Sequence, residues 1–213
     1  MQINTVSKFI GMALAAFLPL VAKAAIDVTV LDRKGRPVGD VVVFAKAEGL
    51  HPREQPPSGV MDQIDGAFTP HILVVQKGAS VSFPNSDTVA HHVYSFSKPN
   101  QFVLPLYKGS APPPHQFRHE GIATLGCNIH DNMLGYIVVV DSTVFGKTDT
   151  EGKIRLEFEN QLDGVEISIW SPRIRGMGGY RSQTTSDGTS IEFRLEKRLK
   201  RPHDPNAWLS DDY

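Results

Sequence analysis

From residue 26 to residue 195 the chain is written in short apolar runs cut by Gly, Pro, Asn and Asp, and apolar residues nowhere recur at helical spacing over a useful length. Residues 26–31 alternate (Ile-Asp-Val-Thr-Val-Leu), Asp32-Arg33-Lys34-Gly35-Arg36-Pro37 makes a turn, and residues 41–45 follow as a second strand. Further strands are expected at 70–76, 80–84, 93–96, 121–126, 134–141, 153–158, 165–170 and 190–195. Strands this short and this regularly punctuated specify an all-β chain of sandwich or barrel type. Residues 49–58 (GLHPREQPPS) hold three prolines and read as a linker. The end, residues 198–213, is polar after a basic run at 196–201 (EKRLKR) and reads as a flexible tail, with weak contact to an acidic partner as the alternative.

Residues 1–24 read as a secretory signal: Lys8 gives the positive start, residues 9–22 are apolar, and Ala22-Lys23-Ala24 supplies the small-x-small cleavage pattern. The apolar stretch falls short of the about 20 residues that span a bilayer, though an uncleaved anchor helix is the alternative reading. The expectation is therefore export to the periplasm, with no membrane insertion after cleavage. Cleavage removes two lysines and no acid from a chain whose formal charge is −1, so no basic footprint for nucleic acid remains.

The 213 residues contain one cysteine, which excludes an internal disulfide, a CxxC redox centre and a zinc ribbon. Cys127 is then buried filler, a nucleophile or a metal ligand. Its neighbours decide among these. Cys127, His130 and Met133 stand at intervals of three, and His91-His92 lie at the entry to a strand about 35 residues earlier. Two imidazoles and a thiolate with a weak axial thioether are the ligand set of a mononuclear blue-copper centre. Thiolate and thioether suit Cu(I), and imidazole accommodates Cu(II).

The spacing Cys127-x-x-His130-x-x-Met133 resembles the ligand loop of the short-loop cupredoxins, the amicyanins and their pseudoazurin and plastocyanin relatives. The stretch from Asn85-Ser86-Asp87 to His91-His92-Val93 is similar to their strand motif around the first ligand histidine. The resemblance covers roughly residues 57–141 and implies a Greek-key β-sandwich holding one type 1 copper, with His91, Cys127, His130 and Met133 as ligands. His92 would then point to the opposite face of the strand. Three positions depart from the family pattern: Ala90 stands where proline is common, His92 where asparagine usually bonds across to the cysteine loop, and Asp131 where amicyanin-like loops carry proline. Asp131 puts an acid beside the imidazole edge through which such proteins exchange electrons. Among the other histidines, His51, His71, His115 and His203 are expected in solvent, and His119 is a candidate neighbour of the site.

Residues 32–45 (DRKGRPVGDVVVFA) resemble the opening of transthyretin-like or carboxypeptidase-regulatory-like Ig domains. The next element of that pattern, a T-D-x-x-G turn, appears only at Thr148-Asp149-Thr150-Glu151-Gly152. This implies a small Ig-like sandwich from residues 25–50 plus 142–197, with the copper domain (57–141) inserted near position 50. In the alternative, sequential order, residues 25–50 supply the first strands of the cupredoxin sheet, and the pairing of residues 41–45 discriminates the two. The function implied is a periplasmic one-electron carrier between redox proteins, possible partners being an amine dehydrogenase or a cytochrome c. A copper sensor or delivery module is the alternative, and a Cys–His enzyme lacks a visible orienting group. No G-x-S-x-G, HExxH or phosphate-binding loop is present, and Asp211-Asp212 sit in the tail.

Overall fold

The computed structural model describes residues 24–50, 52–160, 164–185 and 189–204. Of the expected signal segment only Ala24 is among them, and His51 and residues 205–213 also lie outside. The chain is all-β: among the described residues, a three-residue 3-10 turn at Met177–Gly179 is the one helical element. None of the described helices is long and apolar enough to cross a membrane.

The two flanks of the chain pair with each other. Ala24–Leu31 is the centre of a three-stranded sheet, antiparallel to Lys153–Phe158 and parallel to Ser190–Arg194. Facing it is an antiparallel sheet in the order Phe145–Lys147, Val42–Lys46, Val165–Trp170, Tyr180–Thr185. Val28, Val30, Val43, Leu156, Ile167 and Phe193 share the core between them. Two turns far apart in sequence lock together at its edge. The buried Thr148 hydroxyl accepts from the Val41 N–H at 3.0 Å and donates to the Val38 carbonyl at 2.9 Å. Gly152, at φ +71°, lies so close to the Val30 carbonyl that a Cβ there would sit 2.5 Å from its oxygen.

The middle of the chain builds a second sandwich. Its larger sheet runs Ile72–Gln76, His130–Val140, Gly121–Cys127, Val93–Ser95, Phe102–Val103. A smaller sheet of His115–Gln116, Ser80–Ser82 and Gly59–Val60 covers the core that holds Met61, Phe83, Phe117, Leu125 and Ile137. The two sandwiches also share a layer. Val42, Phe44 and Trp170 pack against Ile72, Val138 and Val140, with the Trp170 and Tyr136 rings edge to face at 5.4 Å. This accounts for the unbroken apolar runs at 41–45 and 137–140: alternate side chains enter two different cores, so both faces of each strand must be apolar.

Several segments differ from expectation. Asp62–Ile64 and Ala67–Thr69 form a hairpin just past the proline-rich linker. Its turn residues Asp65 (φ 52°) and Gly66 (φ 69°) both adopt the left-handed conformation that a two-residue hairpin turn requires. Tyr180–Thr185 is an edge strand whose polar sequence hides it. The expected flexible tail is anchored over its first residues: the Lys200 N–H donates to the Arg173 carbonyl at 2.9 Å, and His203 Nε2 meets the Asn132 carbonyl oxygen at 2.7 Å.

Candidate metal centre

Strand pairing assembles the site. Gly121–Cys127 and His130–Val140 form a hairpin whose turn is Asn128-Ile129. The pairing jumps from Gly126↔Leu134 to Cys127↔His130, so Asp131, Asn132 and Met133 bulge out of the ladder. Cys127 on its other side pairs with Val93. That register brings residues 91 and 92 beside the thiol. The backbone of His91 is clamped in turn, exchanging N–H···O bonds of 3.0 Å with Tyr107 in both directions.

Three donors converge. Cys127 Sγ lies 3.8 Å from His91 Nδ1 and 3.7 Å from His130 Nδ1, and the ligand atoms of all three residues fall within 4.8 Å of one another. One thiol proton cannot serve two imidazoles at such range, but a bound ion accounts for both distances. With metal–nitrogen bonds of about 2.0–2.1 Å and metal–sulfur bonds of about 2.3 Å, the law of cosines puts S···N at about 3.6 Å for tetrahedral and about 3.8 Å for trigonal angles. The donor set fits a metal without rearrangement. Met133 is 2% exposed and belongs to the same apolar cluster as Cys127.

Burial grades the site. His91 is 0% exposed and Cys127 4%, whereas His130 is half-buried and Asp131, Val89 and Ile129 are exposed. His92 faces away, as expected of its register. Its Nδ1 meets Asn128 Nδ2 at 2.8 Å, tying the strand to the cysteine turn. Its backbone N–H also donates to Cys127 Sγ at 3.5 Å. A cleft of about 590 Å³ runs along the other side of Cys127 and Met133, walled by Tyr94 and Phe96.

One contributor escaped the sequence reading. Asp87 Oδ2 lies 2.7 Å from His91 Nε2. The same carboxylate accepts backbone N–H groups from the missed hairpin turn, Asp65 at 2.6 Å and Gly66 at 2.9 Å. Burial, the largest influence on Asp87, pushes its carboxyl up. The Gly66 N–H, the His91 ring and the Asp65 N–H together outweigh it, and the carboxyl lies below the usual range. A carboxylate on the far nitrogen fixes the imidazole tautomer and its orientation. The signal available in sequence was an acid four residues before a candidate ligand.

The remaining histidines are elsewhere. His119 is exposed, and its carbonyl accepts from Asn100 Nδ2 at 2.9 Å. His115 stacks on Phe102 at 4.4 Å, and His71 stacks on His203 at 5.4 Å while its Nδ1 bonds the Leu134 carbonyl. All three of these rings are half-buried, not free in solvent.

No family model matches the chain, and no curated protein matches it. Solved structures do. A Cu-containing nitrite reductase (NirK) from Thermus scotoductus SA-01 is similar at 24% identity over 40% of this chain, TM-score 0.38, and the chain spans only 23% of that enzyme's length. A purple cupredoxin from Nitrosopumilus maritimus is similar at 22% identity over 39% of this chain and 100% of its own, TM-score 0.36. A reduced Cu(I) amicyanin variant at pH 4 is similar at 21% identity over 46% of this chain and 99% of its own, TM-score 0.37. At these identities nothing about function passes from those proteins to this one.

Proposed function

We propose that the protein is an exported one-electron carrier of the cupredoxin kind, with a single type 1 copper that His91, Cys127, His130 and Met133 would hold. The observation that carries this reading is the convergence of one thiol and two imidazoles at 3.7 and 3.8 Å beside a buried thioether. Copper bound there supplies a reversible Cu(I)/Cu(II) couple. The chain's residues hold the donors still: His91 through Asp87 and Tyr107, Cys127 through its ladder bonds, and His130 through the hairpin. Small movement on redox means small reorganisation.

The partners in this reading are redox proteins, an amine dehydrogenase or a cytochrome c among them, and the compartment is the periplasm. Nucleic acid has no part in it. We read the two cores as two domains, 25–50 plus 142–197 around an inserted 57–141. The enzyme reading gains an orienting group in Asp87, yet a nucleophile 4% exposed between two imidazoles gives a substrate poor access. Copper delivery without electron transfer draws support from the cleft along Cys127 and Met133. Absorption and EPR spectra of the copper-loaded mature protein test the proposal. An intense thiolate-to-Cu(II) band, bleached reversibly by ascorbate, is expected. A colourless protein that binds only Cu(I) would overturn the carrier reading in favour of delivery.

A further inference from the structure

The basic run at the start of the tail takes no part in the metal centre, and the fold gives it a defined place. Arg173 and Arg175 donate side-chain N–H bonds to the carbonyls of Lys200 (3.3 Å) and Arg198 (2.9 Å). These bonds fix the backbone of the run and leave the side chains of Arg198, Lys200 and Arg201 exposed. Opposite them stands the turn after the first strand, with Arg33, Lys34 and Arg36 also exposed. The two walls enclose a groove of about 890 Å³ floored by Arg173. Seven of the chain's 22 cations therefore face one groove.

Its one acid is already engaged. Arg36 sits 2.7 Å from the Asp32 carboxylate, and its side-chain hydrogen bond leads the influences that hold that carboxyl down to about 2. Among the described residues, no ion pair involves any of the other six cations. The chain as a whole carries a formal charge of −1, so everything outside the groove is net negative. Segregated charge of this kind does little for stability, but it steers and orients an oppositely charged partner.

The groove is also continuous with the metal centre. It shares Arg173, Lys200, Arg201 and Pro202 with a second cleft of about 1050 Å³. That cleft shares Asn132, Leu134 and His203 with the cleft that reaches Cys127 and Met133. His203, bonded to Asn132, sits at the junction. We propose that the basic groove seats an acidic face of the protein that exchanges electrons with this one, so that the partner's redox group lies over the Asn132–Leu134 end of the metal cleft. The inference rests on the carrier reading. A linear polyanion fits less well, because it brings no redox group to the continuous path.

The test is stopped-flow reduction of the oxidised, copper-loaded protein by a reduced acidic c-type cytochrome and, separately, by a basic one. With the acidic cytochrome, the second-order rate should fall steeply as salt is raised. Arg198→Glu/Arg201→Glu should slow it about tenfold at low ionic strength and converge with the native protein at high salt. Arg33→Glu/Lys34→Glu, on the opposite wall and away from the metal cleft, should act the same way, and both variants should keep the native spectrum and melting temperature. Rates with the basic cytochrome should not fall in either variant. Equal salt dependence in native and variant proteins overturns the proposal. So does an oligothymidylate that binds more tightly than the acidic cytochrome and is lost in the same variants. If neither cytochromes nor ascorbate reduce the centre, the carrier reading itself has failed. Calorimetric titration of the acidic cytochrome against native and variant proteins then judges the groove alone.

Discussion

Replacing Asp87 tests how the proposed copper ligands are held. The carboxylate does two things: it receives the His91 Nε2 proton at 2.7 Å, and it receives two backbone N–H groups from the Asp65-Gly66 turn. In Asp87→Ala the turn donors, near the surface, can find water. The His91 ring is 0% exposed and cannot. Leaving that N–H without an acceptor costs the copper-free protein about 1–3 kcal/mol. Losing the group that orients a ligating imidazole typically weakens metal binding about 10- to 100-fold, equivalent to about 1.4–2.7 kcal/mol. Asp87→Asn keeps the shape but one acceptor oxygen only, so its amide must turn a donor toward either the ring or the turn, and an intermediate loss is expected. The assay is a competition titration of copper against a chelator of known affinity, with denaturant melts of the copper-free forms run alongside. Copper affinity within twofold of native in Asp87→Ala, with an unchanged melt, would show that His91 is positioned by its backbone alone.

Cys127→Ser should abolish the charge-transfer band, and Met133→Leu should keep the colour and raise the reduction potential; spectra and voltammetry of the two variants check this. Trp170→Ala, in the layer shared by the two sandwiches, should cost about 3–5 kcal/mol in chemical denaturation. Gly152→Ala places a Cβ 2.5 Å from the Val30 carbonyl oxygen at φ +71°. Because neither backbone can move aside, it should destabilise by more than the about 1–3 kcal/mol of ordinary overpacking. His71 has its pKa lowered, first by burial and then by His203, against the opposing bond to Leu134. The unfolded chain therefore binds the extra proton first as pH falls below the ordinary imidazole value of about 6.5. His71 contributes stability that is present above that pH and lost beneath it. His71→Phe should flatten the decline in melting temperature between neutral and mildly acid pH.

The donors were legible in the sequence because their chemistry is carried by residue type and spacing: a lone thiol, imidazoles at two places and a thioether need no fold to be recognised as a ligand set. That only one of His91 and His92 could serve was also within reach, since alternation along a strand sends neighbours to opposite faces, and the resemblance of the strand motif pointed to His91. Asp87 was not, because its role depends on the Asp65-Gly66 turn, 22 residues away, arriving with its N–H groups aimed at the carboxylate. The Asp-Gly pair was itself a hairpin signal that the neighbouring prolines obscured. The anchored tail left no trace for a different reason. Guanidinium groups donating to main-chain carbonyls obey no periodicity, and a basic run reads as solvated until something receives it.

The apolar runs show what remains hidden even when an element is recognised. Residues 134–141 announce a strand, yet the sequence does not say that Ile137 and Val139 enter one core while Val138 and Val140 enter another. That division matters to the metal centre. The strand His130–Val140 carries His130 and Met133 at one end and is gripped on both faces at the other. Its partner Gly121–Cys127 is paired along six consecutive residues before the register breaks at Cys127. The ligand turn is thus the far end of a hairpin whose root is buried between two sandwiches. A site that must change charge without changing shape gains from such a root, because strain in the turn cannot be relieved by sliding either strand. The second sandwich therefore bears on the metal centre through packing alone, whatever else it binds.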